Sequence, residues 1–469
     1  MTYLDAAAAI VGPTQILTGE ALAPWRRDWT GQYLSDPAGL VRPGSTAEVS
    51  ALLALASRHG QAIVPVSGAT GLTGGAVAGP EAVLLSTERL STIRSISAAE
   101  RTAEVEAGVV LSTLHAAAEE EGLLYPVTFG ARGSARIGGL LATNAGGSNV
   151  LAYGNTRDTC LGIEAVLPDG RVLSLMSALH KDNSGLNLRH LMIGSEGQLG
   201  IITAAVLKLV PAPRIRATAM LAPRDLAAAL TLLNRLQDET GGKVVACEYM
   251  PDIYIAGHLR YVAGAREPFG QRHAHNVMIE LASPSAADAA PGEDGQPRLS
   301  AQLEALLAGA LEEGLILDAT IAQSEAQRAE MWARRESAAE LTFARRPFVD
   351  CDIAVPLAQV AAFLQLIRQR VRALVPGAED MVVAHLGDGN IHYTIYPGEA
   401  GLAQAAELRA LVDGTAVELG GSFSAEHGIG LSKLPAMRAV KDPVAVETMR
   451  AIKAALDPAG LLNAGKTIP

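Results

Sequence analysis

The residues best suited to chemistry lie late in the chain. Val382-Val383-Ala384-His385-Leu386-Gly387-Asp388-Gly389-Asn390-Ile391-His392-Tyr393-Thr394-Ile395 sets two apolar runs around Gly387-Asp388-Gly389-Asn390. This pattern predicts a hairpin. With those four residues as its turn, Leu386 faces Ile391 and His385 faces His392. Directly opposed residues on one face have Cβ atoms about 4.5–5.5 Å apart. Two imidazoles held that way can share a divalent cation, although an ordinary hairpin carrying surface or core histidines would read the same. Further on, Ser424-Ala425-Glu426-His427-Gly428-Ile429-Gly430 places a carboxylate and a third imidazole side by side. Adjacent residues diverge on a strand, so one can act as ligand and the other as base. Two histidines and a glutamate with an open position make a catalytic rather than a structural metal set. A histidine with its ordinary pKa near 6.5 can take a proton at neutral pH.

A second kind of chemistry is signalled by glycine. The stretch from Gly130 to Asp158 holds glycines at 130, 133, 138, 139, 146, 147 and 154, with no helix or strand periodicity across its length. Such backbone either approaches something large and flat or turns N–H groups toward an anion. A flexible linker is the bland alternative, but Ile137, Leu140, Leu141, Val150 and Leu151 are apolar residues that a solvated linker would not carry. Upstream, Pro65-Val66-Ser67-Gly68-Ala69-Thr70-Gly71-Leu72-Thr73-Gly74-Gly75 follows the apolar run Ala62-Ile63-Val64. It lacks the Gly-Lys-Ser/Thr of a Walker loop and the spacing of the dinucleotide fingerprint. Successive N–H groups in such a turn form a nest suited to a diphosphate.

These loops, Gly138-Gly139-Leu140-Leu141-Ala142-Thr143-Asn144-Ala145-Gly146-Gly147, and Gly194-Ser195-Glu196-Gly197-Gln198-Leu199-Gly200-Ile201-Ile202-Thr203 resemble the FAD domain of vanillyl-alcohol-oxidase-type flavoproteins. The C-terminal half resembles the D-2-hydroxyacid dehydrogenases, whose members include D-lactate, D-2-hydroxyglutarate and glycolate enzymes. The similarity runs from about Pro43 to Pro469. It implies an α+β protein: a two-part FAD-binding domain over residues 1–213, its core from about 35, and an α+β substrate and metal domain over 214–469. The second domain is expected to contain an antiparallel sheet and to return its C-terminal segment to the flavin. The resemblance places FAD contacts at Pro65, Val66, Ser67, Gly68, Ala69, Thr70, Gly71 and Leu72. It continues them at Gly133, Ser134, Ile137, Gly138, Ala142, Thr143, Asn144, Gly146, Gly147 and Gly154, then at Glu196, Gly200, Ile201 and Ile202, and at Asn463 in Leu462-Asn463-Ala464-Gly465-Lys466. Relatives that bind FAD covalently from the first loop use a histidine where Thr70 stands, so non-covalent FAD is expected.

By the same resemblance His385, His392 and Glu426 are ligands of a divalent metal, zinc or manganese, and His427 is the base. Arg335 matches an arginine that holds a substrate carboxylate; a surface arginine on a helix is the competing reading. The family pattern breaks at Ala339, Asp350 and Thr394, where a threonine, a lysine and an asparagine are expected. A carboxylate in place of a cation repels a second substrate carboxylate. The expected substrate is therefore a D-2-hydroxy acid other than 2-hydroxyglutarate, with an uncharged tail. Dehydrogenase and oxidase chemistry both stay open, as does a flavin-binding electron-transfer subunit without chemistry of its own. The electron acceptor is equally open among an electron-transfer flavoprotein, a quinone and a cytochrome, and so is a homodimer. A non-redox metal hydrolase would keep the histidines and need no flavin loops.

The elements that must position these groups are legible in outline. At 469 residues the chain predicts two domains. A formal charge of −11 argues against a nucleic-acid partner. Three widely spaced cysteines make neither a disulfide framework nor a metal pair and fit a reducing, cytoplasmic setting. The N-terminus carries Asp5 and no basic start, so it does not read as a secretory signal, and no apolar run reaches membrane-spanning length. An alanine-rich helix opens the chain and ends near Pro13. Ser45/Thr46 and Glu48 announce a helix to His59, and Leu111 to Glu121 a helix closed by Gly122. Val83–Leu85, Thr102–Glu106 and Ile201–Val210 read as strands, and Pro168-Asp169-Gly170 as the turn of a hairpin. Pro211-Ala212-Pro213 marks the domain boundary, Asp225 to Leu236 a helix beyond it, and Ser283–Pro297 a surface loop.

Overall fold

The computed structural model describes residues 2–293 and 295–469. Its first compact unit comprises Met1–Gly146, Gly154–Pro211 and Glu426–Pro469; the second comprises Gly147–Tyr153 and Ala212–Ala425. Asp294, within the expected surface loop, lies outside the described residues. The remainder of that segment is exposed or half-buried beyond Ser283, and begins with the end of strand Val277–Ser283, followed by the short helix Ala286–Ala289.

The first unit opens with helix Tyr3–Val11, whose Thr2 and Asp5 form a capping box. Helix Thr46–His59 starts at Ser45, whose side chain accepts the Glu48 N–H, and stops at Gly60 with φ 64°. A left-handed residue there costs glycine least. The apolar face of this helix, including Val49, Leu52, Leu53 and Ala56, packs with Val41, Ile63, Val83 and Leu85. Those residues belong to a four-stranded sheet built from Ile16–Leu17, Gly39–Val41, Ala82–Ser86 and Ala62–Val66 in that order. The strand Ala62–Val66 runs parallel to Ala82–Ser86 and delivers the chain into the first glycine loop.

A second, antiparallel sheet of this unit orders Ile93–Ser97, Thr102–Glu106, Ile201–Lys208, Cys160–Val166 and Val172–Leu175. The last two form the expected hairpin across residues 167–171. Helix Leu111–Glu120 packs on this sheet and is followed by Gly122 with φ 67°. The glycine-rich stretch is more ordered than its composition suggests: Ile137–Thr143 is helical and so is Val150–Tyr153. Tertiary burial overrides the poor helix propensity of Gly138 and Gly139, because Ile137, Leu140 and Leu141 are buried in the second core of the unit.

The second unit is a seven-stranded antiparallel sheet. Its order is Ile316–Ile321, Ile215–Pro223, Val277–Ser283, Val244–Tyr249, Glu379–His385, Asn390–Tyr396 and Val349–Ala354. Helices Leu226–Thr240, Arg298–Glu312, Val360–Leu374 and Ala405–Glu418 supply apolar side chains to one large core. Asp225 caps the first of them through the Ala228 N–H. Helices Asp252–Tyr261, Glu325–Glu336 and Ala338–Phe343 contribute to a smaller core with Met220, Met278 and Met381. Its polar border carries the residues of interest.

Candidate active site

The hairpin carrying the two histidines forms, with a register that differs from the expected one. Its turn is Leu386–Gly389, and Asn390 is the first residue of the returning strand. The pairs are His385↔Asn390, Ala384↔Ile391 and Val383↔His392, so His385 does not face His392. The cause is bonding to neighbouring strands. The Asn390 amide donates to Asp352 Oδ1 at 2.8 Å and to the Ile353 carbonyl at 3.0 Å, while the Leu386 N–H donates to the Cys247 carbonyl. The slip amounts to two residues, and a strand's side chains alternate with period two. Both imidazoles therefore stay on one face as diagonal neighbours, with ring centroids 5.4 Å apart.

Two residues with no motif signal complete this face. Glu248, on the neighbouring strand, is fully buried; its Oε1 is 2.9 Å from His385 Nδ1 and its Oε2 accepts from Arg335 Nε at 2.5 Å. Burial alone would raise the Glu248 pKa, but the charges and hydrogen bonds of His385 and Arg335 hold it below the usual value. Asp352 is the cross-strand partner of His392, with Oδ1 3.7 Å from its Nδ1. Asp352 and His392 can offer oxygen and nitrogen donors to a cation. The Asp352 carboxylate also lies 3.3 Å from the Ala425 N–H, and Glu426 follows Ala425 in the chain.

Arg335 is not a surface arginine. It is buried, its guanidinium is locked onto Glu248, and Nη2 lies 3.3 Å from His385 Nε2. Ala339 is exposed on helix Ala338–Phe343. Asp350 and Thr394 are paired in register, two residues along the strands from Asp352 and His392, and Thr394 Oγ1 donates to Asp350 Oδ1 at 2.9 Å. Thr342 Oγ1 stands 3.4 Å from Thr394 Oγ1. Gly147 and the helix after it belong to the second unit, where Leu151 packs against Gly387.

In the first unit, no backbone N–H from Ser67 to Leu72 is donated within the chain, among the described residues. A run of N–H groups without protein acceptors, around Ala69 at φ 52°, is what an anion nest requires. Gly68 packs so tightly on the Ser134–Arg136 backbone that an added Cβ would sit 2.5 Å from the Ser134 oxygen, whereas Gly71 has open space around it. Gly138 abuts Ala107, and a Cβ added at Gly139 would lie 3.4 Å from the Ser67 Cβ. Asn144 closes helix Ile137–Thr143 in the left-handed region, and its Oδ1 accepts the Arg157 N–H. Gly200, Ile201 and Ile202 lead into strand Ile201–Lys208, paired with Cys160–Val166. These loops fit a flavin diphosphate by donor count and by backbone clearance.

Asn463, expected to contact the flavin, is bound up within the protein. Its Nδ2 donates to the Glu196 carbonyl at 2.7 Å and to the Gly75 carbonyl at 3.1 Å, while Oδ1 accepts from Lys466 Nζ at 2.7 Å. Both amide protons are used to tie three motifs together. Burial lowers the Lys466 ammonium to about 8, with Glu196 opposing that shift. His427 shares this unit: it is followed by Gly428 with φ 77°, and its Nε2 lies 3.7 Å from Glu426 Oε1.

Comparison with known proteins decides the family. Residues 212–467 match the family of FAD-linked oxidases, C-terminal domain, and residues 37–176 match the FAD binding domain. The chain belongs to the FAD-linked oxidases. It is 36% identical over 450 residues to the D-2-hydroxyglutarate dehydrogenase of Xanthomonas citri pv. viticola, covering 95% of this chain and 92% of that protein. The mitochondrial D-2-hydroxyglutarate dehydrogenase of Bos taurus is 34% identical, with 99% and 83% covered. Among solved structures, p-cresol methylhydroxylase with substrate bound superposes with TM-score 0.76 at 14% identity, covering 99% of this chain and 96% of that one. The 4-ethylphenol oxidase of Gulosibacter chungangensis gives 0.73 at 18% identity, with the same coverage. The fold is the two-domain FAD-binding fold of the vanillyl-alcohol-oxidase type, and this FAD-linked oxidase is an FAD-dependent oxidoreductase acting on a CH–OH group.

Proposed function

We propose that the protein oxidises a D-2-hydroxy acid to the 2-oxo acid. The observation that carries this reading is the face holding His385, His392 and Asp352, from which the chain leads through Ala425 directly to Glu426 and His427. The kinship to D-2-hydroxyglutarate dehydrogenases supports the hydroxy-acid head and its D configuration. FAD, expected to be non-covalent because Thr70 stands where covalent relatives carry a histidine, would supply a hydride acceptor, and a bound zinc or manganese ion would supply Lewis-acid chemistry at the α-hydroxyl.

The residues divide the remaining work. In this reading His385, His392 and Glu426 would hold the cation, with Asp352 beside His392 as a further oxygen donor, and Glu248 fixes the His385 ring through Nδ1. His427 takes the hydroxyl proton as the C–H bond breaks. Arg335, oriented by Glu248, faces the substrate carboxylate. The first two glycine loops hold the diphosphate through Ser67 to Leu72 and position the ring through Ile137–Asn144.

The tail of the substrate is uncharged in this reading. Asp350 sits where a second carboxylate would need a cation, and the Arg335 charge is already balanced by Glu248. Three buried free cysteines, Cys160, Cys247 and Cys351, support a cytoplasmic location. No helix among the described residues is long and apolar enough to cross a membrane.

Anaerobic mixing with D- and L-2-hydroxy acids tests the proposal. Bleaching of the flavin by D-isomers alone is expected, and acid precipitation should release the yellow colour into the supernatant. No bleaching by any 2-hydroxy acid in metal-loaded protein overturns the substrate class, and colour in the pellet overturns non-covalent attachment.

A further inference from the structure

His427 lies on a segment with little side-chain bulk to hold it in place. Gly428 and Gly430 flank Ile429, and both have positive φ, 77° and 51°. A base must stay within hydrogen-bond reach of its proton, so something must immobilise this backbone. The structure shows what does. Glu196 Oε1 accepts the Ile429 N–H at 2.8 Å and Oε2 accepts the Gly430 N–H at 2.9 Å. One carboxylate thus receives both N–H groups of the dipeptide two and three residues past His427. Thr73 holds the same turn from the other side: its carbonyl accepts the Leu431 N–H at 2.8 Å and the Ser432 N–H at 3.1 Å.

The fit around Glu196 leaves no slack. It is buried and itself held at φ 50°, its carbonyl accepts from Asn463, and its N–H donates to the Ala142 carbonyl at 2.8 Å. An added Cβ on Gly428 would lie 3.0 Å from the Glu196 carboxyl carbon, and one on Gly430 would lie 2.3 Å from the Thr73 oxygen. Two charge-assisted bonds to a buried carboxylate are stronger than neutral ones and have fixed direction.

We propose that Glu196 is a positioning residue for His427: with one oxygen on the Ile429 N–H and the other on the Gly430 N–H, it acts on the base's backbone. This rests on the reading of His427 as the base. Replacing one oxygen by an NH2 sets a donor against a donor, so Glu196→Gln should release one end of the turn.

The experiment is a double-mutant cycle on the holoenzyme, reading the rate of flavin reduction under saturating substrate, KM, and bound FAD. Glu196→Gln should slow flavin reduction by about 10-fold to 100-fold while KM and FAD content stay near wild type. Gly428→Ala should reproduce that split by pushing the carboxylate away. In His427→Ala, which lacks the group to be positioned, adding Glu196→Gln should cost no more than about twofold, because coupled residues are not additive. Full additivity, or a loss confined to FAD content, overturns the positioning role. If His427→Ala itself reduces flavin as fast as wild type, the base assignment fails instead, and the two failures are told apart.

Discussion

The glycine loops proposed to hold the diphosphate and the sheet face that holds the histidines use opposite strategies. From Ser67 to Leu72 the proposed recognition rests on backbone N–H groups, contiguous in sequence, and the side chains matter chiefly by being small. On the seven-stranded sheet it is performed by side chains gathered from distant segments: Glu248 meets His385 across 137 residues and Arg335 across 87. The difference teaches where damage should show. A backbone nest is spoiled only by bulk or strain, whereas a side-chain cluster fails when any one partner is removed and its neighbours are left buried and unpaired.

Five measurements press on that contrast. The largest effect is expected from the side-chain half of the chemistry: His427→Ala should slow flavin reduction by about 10²–10⁴-fold, with unchanged FAD absorbance. His392→Ala should abolish turnover and lower metal content together; full activity with metal removed by chelator would remove this half of the comparison. Next comes Glu248→Ala, which strands the buried Arg335 charge and should cost about 3–5 kcal/mol, read as a shift of the urea midpoint. An unmoved midpoint would mean that the Arg335–Glu248 pair is replaceable by solvent.

Gly68→Ala addresses the backbone half. Its new Cβ would sit 2.5 Å from the Ser134 oxygen. The strain, on the order of 1–3 kcal/mol, should appear as weaker FAD retention, whereas Gly71→Ala, with open space around it, should retain FAD normally. Equal losses from both substitutions would show that small size, rather than this packing, is what the loop needs. Smaller again is tail selectivity, where kcat/KM for D-lactate or a longer aliphatic homologue should exceed that for D-2-hydroxyglutarate by about tenfold, or ~1.4 kcal/mol. A tenfold preference the other way would show that Arg335 or another cation outweighs Asp350.

What the sequence determined alone is whatever depends on neighbours in the chain. The caps at Ser45 and Asp225, the stop at Gly60, the hairpin around Pro168-Asp169-Gly170 and the glycine loops are local bargains between a side chain and the nearest backbone. The FAD domain was therefore legible, as was the His385/His392 hairpin in outline. Tertiary structure alone decided the hairpin's register, because the Asn390 amide found Asp352 and Ile353 on a third strand. It alone brought in Glu248, which stands in no motif, and buried Arg335, whose helix sequence reads as charged surface. It gave Asn463, placed by the resemblance beside the flavin, two bonds that clamp Gly75 and Glu196. The physical reason is common to all four: hydrogen bonds and charge pairs between segments far apart in the chain depend on strand order and burial, and neither is written in the spacing of residues.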